Sequence, residues 1–469
     1  MHRIKLKGKE LFCDDGELLS EILIKSGFSV EHPCGGRGVC RKCIVIVDGQ
    51  EELSCKYRVY SDISLELPER GEMVSETGAD ITGRLTENLC FALDIGTTTL
   101  ALALVSLDDK KIVRVTTKTN PQRAFGSDIM TRIDYCSKNS VKELNSVLIS
   151  EINKMIEELK APNNIKLYVS GNTTMLHLFF NVDCSSIGVA PYTPAFLEGQ
   201  YCGADALGLT GVSEAVSLPS ISSFVGADLV AGLNYVSGPE KGKYNLLVDL
   251  GTNAEVLLFS DSSVLCTAAA AGPCFEGANI SCGMSATRGA VYSYSLMENG
   301  TADIKTIGNA PAKGVCGTGL VDVIAALLDS EEVDETGFME SESFEIAEGV
   351  TLTQEDIRQY QLAKSAVSSA ILTLMKIKGI SYDGIDRMYI SGGFSAKINI
   401  SNAVKTGLLP ASLADKCVPV NNSSLLGTIK YACEGNDLSW YIEHAEYIDL
   451  SSSSYFTELF VQNMMFEAE

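Results

Sequence analysis

Two stretches of this chain echo each other, and few folds accommodate such a pair. FALDIGTTTLALALVSL runs from Phe91 to Leu107, and NLLVDLGTNAEVLLF from Asn245 to Phe259. In each, an apolar run ends in an acid, Asp94 or Asp249. A small polar turn follows, Gly96-Thr97-Thr98-Thr99 in one and Gly251-Thr252-Asn253 in the other, and leads into a second apolar run. The pattern predicts two β-hairpins. A glycine at such a turn lets backbone N–H groups reach a phosphate with no Cβ in the way. An Asp at the strand end suits Mg²⁺, which takes one or two carboxylates beside water and phosphate oxygens. A single DxGT is as readily an ordinary hairpin with a polar turn. Two copies on the same buried-strand pattern are much more specific, each a candidate phosphate-binding turn with its acid, Asp94 or Asp249, suited to a metal.

Length and charge bound the rest. A chain of 469 residues, 45% hydrophobic and 21% charged, is expected to make about three globular domains. A net charge of −23 argues against nucleic acid and against anionic membrane surfaces as partners. The opening MHRIKLKGKE lacks the apolar run of a signal peptide, and Leu89 to Leu107 is interrupted by Asp94 and three threonines. A cytoplasmic protein is expected. Its 15 cysteines then read as thiols and metal ligands rather than as a disulfide framework.

Residues 1–69 form the first predicted unit. Ile4 to Lys7 and Leu11 to Cys13 read as strands, and Glu17 to Ser26 as a helix stopped by Gly27. Cys34, Cys40 and Cys43 then follow at C-x5-C-x2-C spacing, and Cys55 follows after eleven further residues. Gly35, Gly36 and Gly38 fill the first gap. An iron–sulfur cluster needs such a loop, which wraps closely and points N–H groups at sulfurs, and four thiolates suffice for one [2Fe–2S] centre. Zinc is the competing reading, although it usually takes two close pairs and only Cys40 and Cys43 make one. With strands at Ile44 to Val47 and Ile63 to Leu67, the unit resembles the β-grasp ferredoxin fold. Residues 70–89 are polar and aperiodic, and are expected to be a flexible linker.

A first lobe is expected over 90–240 and a second over 241–469. In NPQRAFGSDIMTRIDYC, Phe125, Ile129 and Ile133 fall on one helix face. Gly171-Asn172-Thr173-Thr174 reads as a strand-to-helix turn, either facing a ligand or simply capping the helix. His177 is expected to be a packed helix residue, having no partner at ligand spacing. Asp228 opens another predicted helix, where it caps or faces the cleft. AAAAGPCFEGANI carries one acid, Glu276, and VCGTGLVDVIAALLDS places Gly317 at a turn entering a helix. A strand, RMYI, runs into Ser391, Gly392, Gly393 and Phe394, where flat backbone suits an adenine or ribose, and SSLLGTIKYA follows as a small-residue helix. Asp228, Glu255 and Glu276 are the candidates to orient an attacking water, with Glu276 preferred. Cys266, Cys274, Cys282 and Cys316 have no close pair and read as core or cleft thiols.

The hairpin pair, the SGG strand end and the small-residue helix resemble the actin, hexokinase and acetate-kinase superfamily. Together with the four-cysteine loop, the stretches FALDIGTTTLA, NPQRAFGSDIM, SGNTTMLHL, LLVDLGTNAEV, AAGPCFEGANI, GVCGTGLVD, LTQEDIRQYQLAK, ISGGF and NAVKTGLLP resemble the reductive activators of corrinoid proteins over nearly the whole chain. The resemblance implies an α/β chain: a [2Fe–2S] β-grasp ferredoxin domain, then a two-lobed actin-like, ribonuclease H-like ATPase. The activity it implies is ATP-driven transfer of one electron to Co(II), restoring the Co(I) that methyl transfer needs. ATP, Mg²⁺ and the cluster are the implied cofactors. The implied partners are a corrinoid protein of a methyltransferase system and an external low-potential electron donor, and a homodimer is one assembly open to it. A further domain that some members carry after the ferredoxin looks absent, since only residues 70–89 stand there. Competing functions are an ATP-gated donor to another low-potential metalloenzyme, a nucleotide-switched module that binds the corrinoid protein, and a small-molecule kinase.

Overall fold

The computed structural model describes residues 1–6, 9–26, 28, 36, 38, 43–67, 81–126, 128–297, 300–393 and 395–466. Strands β1 (His2–Leu6), β2 (Lys9–Cys13), β3 (Ile44–Val47), β4 (Gln50–Leu53) and β5 (Ile63–Glu66) form one sheet in the order β2-β1-β5-β3-β4. Helix α1 (Leu19–Lys25) turns Leu19, Ile22 and Leu23 into the core this sheet makes with Ile4, Val45, Ile63 and Leu65. Strands β1 and β5 are parallel, so the chain's two ends of this unit lie side by side at its centre.

The next two sheets share one plan. The first holds β6 (Leu89–Ile95), β7 (Thr99–Ser106), β8 (Lys111–Thr119), β9 (Ile165–Gly171), β10 (Tyr201–Gly203) and β11 (Val212–Ser217), in the order β10-β11-β9-β6-β7-β8. Three helices accompany it: α2 (Ile129–Lys138), α3 (Val141–Glu158) and α4 (Thr173–Phe179). All seven residues of β6 are buried, as a central strand covered on both faces requires. After helix α5 (Ala227–Tyr235), the second sheet opens with β12 (Tyr244–Leu250), β13 (Ala254–Phe259) and β14 (Val264–Ala269). Helices α6 (Gly317–Asp329) and α7 (Gln354–Lys378) follow, then β15 (Ile385–Ser391), β16 (Cys417–Pro419), α8 (Ser423–Glu434) and β17 (Ala445–Tyr447). The strand order is β16-β15-β12-β13-β14-β17. In both sheets an antiparallel three-strand meander sits beside a strand parallel to its first member, β9 beside β6 and β15 beside β12.

Helices α5 and α8 lie between the two sheets, with Ala227, Val230 and Ala231 of α5 in the core of the first lobe. Val225, Leu229 and Leu233, in and just before α5, pack on Leu247, Leu257 and Tyr389 of the second sheet. Leu425 and Ile429 of α8 pack on Cys90, Ala92, Ala101 and Ala103 of the first. The division expected at residue 240 therefore separates the sheets but not these helices. The two meet backbone to backbone: a Cβ on Gly427 would stand 1.7 Å from the Ala231 carbonyl oxygen. No described helix is long and apolar enough to cross a membrane.

Two expectations change. Phe125 is not on the helix of Ile129 and Ile133. Gly126 packs tightly on Thr131 and the Asp128 carboxylate caps Thr131 N at 2.8 Å, so α2 starts only at Ile129. The end of the expected linker is held in place. Ile81 bridges to Ile112, Gly83 N donates to the Ile112 carbonyl at 2.9 Å, and Asn88 Nδ2 donates to Asp108 at 3.3 Å. Strand β8 lies at the sheet edge, and its unpaired backbone groups offer these residues a partner. Residues 70–80 of that stretch lie outside the described residues.

Candidate functional site

Both hairpins form, and both turns sit at the same end of their sheets. In the first, Asp94 lies opposite Ala101 on β7; in the second, Asp249 lies opposite Glu255 on β13. Gly96 N donates to the Thr99 carbonyl at 3.0 Å, and Gly251 N to the Asn253 carbonyl at 3.1 Å. The carbonyls of the first turn are taken by protein donors: Asn120 Nδ2 on Gly96 at 2.8 Å, Asn120 N on Thr98 at 2.8 Å, and Arg132 Nη2 on Thr97 at 2.5 Å. Among the described residues the amides of Thr97, Thr98, Thr252 and Asn253 have no protein acceptor. The Thr252 hydroxyl is buried with no partner, a donor left over where a phosphate oxygen or a metal-bound water would sit. Unpaired donors and a glycine at each turn fit a polyphosphate held between the two hairpins.

Acids converge on this cleft. Asp94 is buried at the end of β6, and burial holds its carboxyl above the ordinary range, against hydrogen bonds from Asn422 and Ser424 that pull it down. Burial pushes Asp249 up to about 6, with Ser391 opposing and Asp94 adding repulsion. Burial, then the charges of Asp249 and Asp94, push Asp228 up to about 8. Burial and the neighbouring Asp228 and Asp249 push Glu255 well above a normal glutamate. Such a set is short of positive charge until a cation arrives. Among the described residues no three His, Cys, Asp or Glu side chains stand as a ready-made metal cage. The acids fit instead a cation that keeps most of its waters and takes one or two carboxylates, as Mg²⁺ does. One nearby positive charge is Arg132, fully buried, which bonds to the Gly126 and Thr97 carbonyls and, among the described residues, to no carboxylate. Burial lowers it to about 9, so it stays charged at neutral pH under the first turn.

Glu276 touches both turns. Thr98 Oγ1 donates to its Oε2 at 2.5 Å, and its Oε1 lies 3.7 Å from where a Cβ on Gly251 would be. A short helical turn, Pro273–Glu276, carries it, and α6 abuts that turn so closely that a Cβ on Gly317 would meet the Phe275 carbonyl at 2.2 Å. Gly317 thus supports the Glu276 turn. Gly392, at φ 109°, has Leu250 O at 2.3 Å from its ideal Cβ position, while the space beside Gly393 is open. Phe394 lies outside the described residues.

The Asn172 turn does both things expected of it as alternatives. Its Oδ1 caps α4 on Met175 N at 3.0 Å, and its Nδ2 donates to Thr97 Oγ1 at 3.1 Å. His177 is buried, its Nδ1 2.8 Å from the Thr173 carbonyl and its Nε2 accepting from Ala195 N at 3.0 Å, a packed residue as expected. Cys266, Cys274 and Cys316 are buried thiols, and burial holds the first two well above the normal thiol range. In the N-terminal unit, Cys43 and Cys55 are buried with sulfurs 3.2 Å apart, close enough to be two ligands of one iron. Cys34 and Cys40 lie outside the described residues. Sequence reasoning passed over Asn120, Arg132, Asn422 and Ser424. Nothing local in NPQR or NNSS says that they face Thr97 or Asp94.

Paired sheets of one plan, with acid-ended turns facing a shared cleft and two crossing helices, define the two-lobed ASKHA class of fold. A family model described as the C-terminal domain of RACo, the ASKHA domain, matches residues 243–469, and one described as the RACo middle region matches 89–237. The chain belongs to this family of reductive activators of corrinoid proteins. It is 28% identical to the corrinoid activation enzyme RamQ of Eubacterium limosum, over 80% of this chain and 70% of that protein. It is 25% identical to a [Co(II) methylated amine-specific corrinoid protein] reductase of Methanosarcina barkeri, over 76% of this chain and 72% of that one. A solved reductive activator for corrinoid, iron-sulfur protein superposes with a TM-score of 0.73 at 25% identity, covering 99% of this chain and 98% of its own.

Proposed function

We propose that this protein couples ATP hydrolysis to one-electron reduction of a corrinoid protein, returning its cobalt from Co(II) to the Co(I) that methyl transfer needs. The observation that carries the reading is a conjunction in one chain: two acid-ended turns, one with a buried Thr252 hydroxyl that has no partner among the described residues, and a separate unit holding two touching buried thiols. Asp94 and Asp249 are assigned to Mg²⁺, from opposite lobes. Gly96, Thr97, Thr98 and Thr99 in one turn, and Gly251, Thr252 and Asn253 in the other, are assigned to the phosphates. Gly317, Gly392, Gly393 and Phe394 are assigned to the rest of the nucleotide's pocket. Glu276, reaching both turns, is assigned to orient the attacking water. The names of the relatives support the corrinoid partner, and an external low-potential donor is assigned to recharge the centre.

Cys34, Cys40, Cys43 and Cys55 are assigned to a [2Fe–2S] cluster in a ferredoxin-like domain over 1–69. When bound, such a centre supplies single electrons, near about −400 mV for plant-type ferredoxins. Co(I) corrinoids are stronger reductants than that. For a one-electron couple each ~59 mV of mismatch costs a factor of ten. Unaided transfer leaves most cobalt as Co(II), and nucleotide helps only by changing the free-energy difference between states. Closure of the lobes about ATP is the movement this fold offers.

The cluster half of the proposal is tested by analysis of anaerobically purified protein. About two irons and two sulfides per chain are expected from the four-thiolate count. Cys43→Ser and Cys55→Ser are each expected to lose them and the visible absorption. Stoichiometric zinc in a colourless protein overturns the assignment.

A further inference from the structure

We infer that Asn422, Ser423 and Ser424, at the start of α8, are positioning residues that form a hydrogen-bonded strut to the metal-site acids of both lobes. The inference rests on the assignment of Asp94 and Asp249 to Mg²⁺ and adds the machinery that aims them.

The strut is built from short polar side chains that converge from four elements. Ser424 Oγ donates to Asp94 Oδ1 at 2.7 Å, and Asn422 Nδ2 donates to Asp94 Oδ2 at 2.7 Å. A hydroxyl has one proton. Ser424 spends it on Asp94, so the 2.8 Å contact between Ser170 and Ser424 has Ser170 as donor. Ser170 stands beside Asp94 in register on β9. The other sheet repeats the arrangement. Ser391 stands beside Asp249 in register on β15, and its hydroxyl lies 2.7 Å from that of Ser423. Consecutive residues of one helix turn therefore reach the Asp–Ser pairs of opposite sheets. The Asn422 amide is fully committed: its Oδ1 caps Leu425 N at 2.8 Å while its Nδ2 holds Asp94, and a flipped amide would satisfy neither contact.

The geometry has a mechanical consequence. An ionised carboxylate has about four lone-pair sites, and two fixed donors leave the remainder aimed in one direction. Helix α8 cannot slide independently, because Gly427 abuts the Ala231 backbone of α5, and Asn234 Nδ2 donates to the Gly427 carbonyl at 2.9 Å. Helix α5 packs on the second sheet. Ser424 is tied to the first sheet through Asp94 and Ser423 to the second through Ser391, so rotation of one lobe against the other strains the strut.

The test measures ATP hydrolysis by the full chain against Mg²⁺ concentration, with melting of the nucleotide-free protein. Ser424→Ala is expected to lower kcat about tenfold, the worth of one charge-assisted hydrogen bond. It also raises several-fold the Mg²⁺ concentration that gives half the maximal rate, because Asp94 loses one of the two donors that aim it. Asn422→Asp keeps the helix cap but sets a carboxylate against Asp94, and it lowers kcat further with little change in melting. Ser424→Thr, which keeps the hydroxyl, restores both rate and Mg²⁺ dependence. Wild-type rate and Mg²⁺ dependence in Ser424→Ala and Asn422→Asp overturn the strut. So does a rate loss that follows melting, leaves the Mg²⁺ dependence in place and is not recovered by threonine. A wild-type protein that hydrolyses no ATP removes the functional reading itself, and the strut with it.

Discussion

Glu276→Gln is expected to lower kcat for ATP hydrolysis roughly a hundred- to ten-thousand-fold, the usual worth of a positioned acid–base group. The substitution keeps the side chain's size and leaves an oxygen for Thr98 Oγ1, which now sits 2.5 Å from Glu276. It removes only the charge and the basicity. ATP affinity therefore stays within a few fold while turnover falls, a split that calorimetry and steady-state kinetics separate. Asp228 and Glu255 are poorer candidates. Burial, with Asp249 and Asp94 beside Asp228 and with Asp228 and Asp249 beside Glu255, raises the proton affinity of both, and neither has a recorded bond to the first turn as Glu276 has to Thr98. A Glu276→Gln protein with kcat within threefold of wild type moves the role to one of those two.

Gly427→Ala is expected to destabilise the nucleotide-free protein by about 3 kcal/mol, the upper range for overpacking a close contact. The added Cβ would lie 1.7 Å from the Ala231 carbonyl oxygen, 2.3 Å from its carbonyl carbon and 2.9 Å from its Cα. All three atoms are backbone, so no rotamer relieves the clash and α5 and α8 must part. The damage reaches function as well, since Asn234 and Gly427 share a hydrogen bond at that crossing and Ser423 and Ser424 lie one turn away. Gly238→Ala is the control, with nothing within 4 Å of the added Cβ. Thermal melting of both variants decides the matter. A Gly427→Ala midpoint within about 2 °C of wild type would mean that the helices do not meet as described.

The hairpins were legible because their signal is local. Seven buried residues of β6, a Gly-Thr turn and a second apolar strand all lie within one short stretch, and the second copy repeats them. The same holds for α7, whose start carries the Thr353–Asp356 capping box and whose end is Gly379 in the left-handed region. What stayed hidden joins distant segments. Asn422 and Asp94 are 328 positions apart, and no periodicity in either segment points at the other. Asn422 caps α8, and its second task depends on where the fold carries it. Residues 81–88 misled for a related reason. Their composition is that of a tether, but the open edge of β8 gives their backbone a partner that composition does not encode.

The central claim is that nucleotide hydrolysis in the cleft drives the electron onto cobalt. It is tested most directly by mixing the reduced protein anaerobically with a Co(II) corrinoid protein and following the cobalt absorption with and without Mg²⁺ and ATP. The account predicts Co(I) only when both are present. It also predicts that Asp249→Asn, with its cluster absorption intact, leaves the cobalt as Co(II). Equal yields of Co(I) without ATP, or with the Asp249→Asn protein, would contradict it.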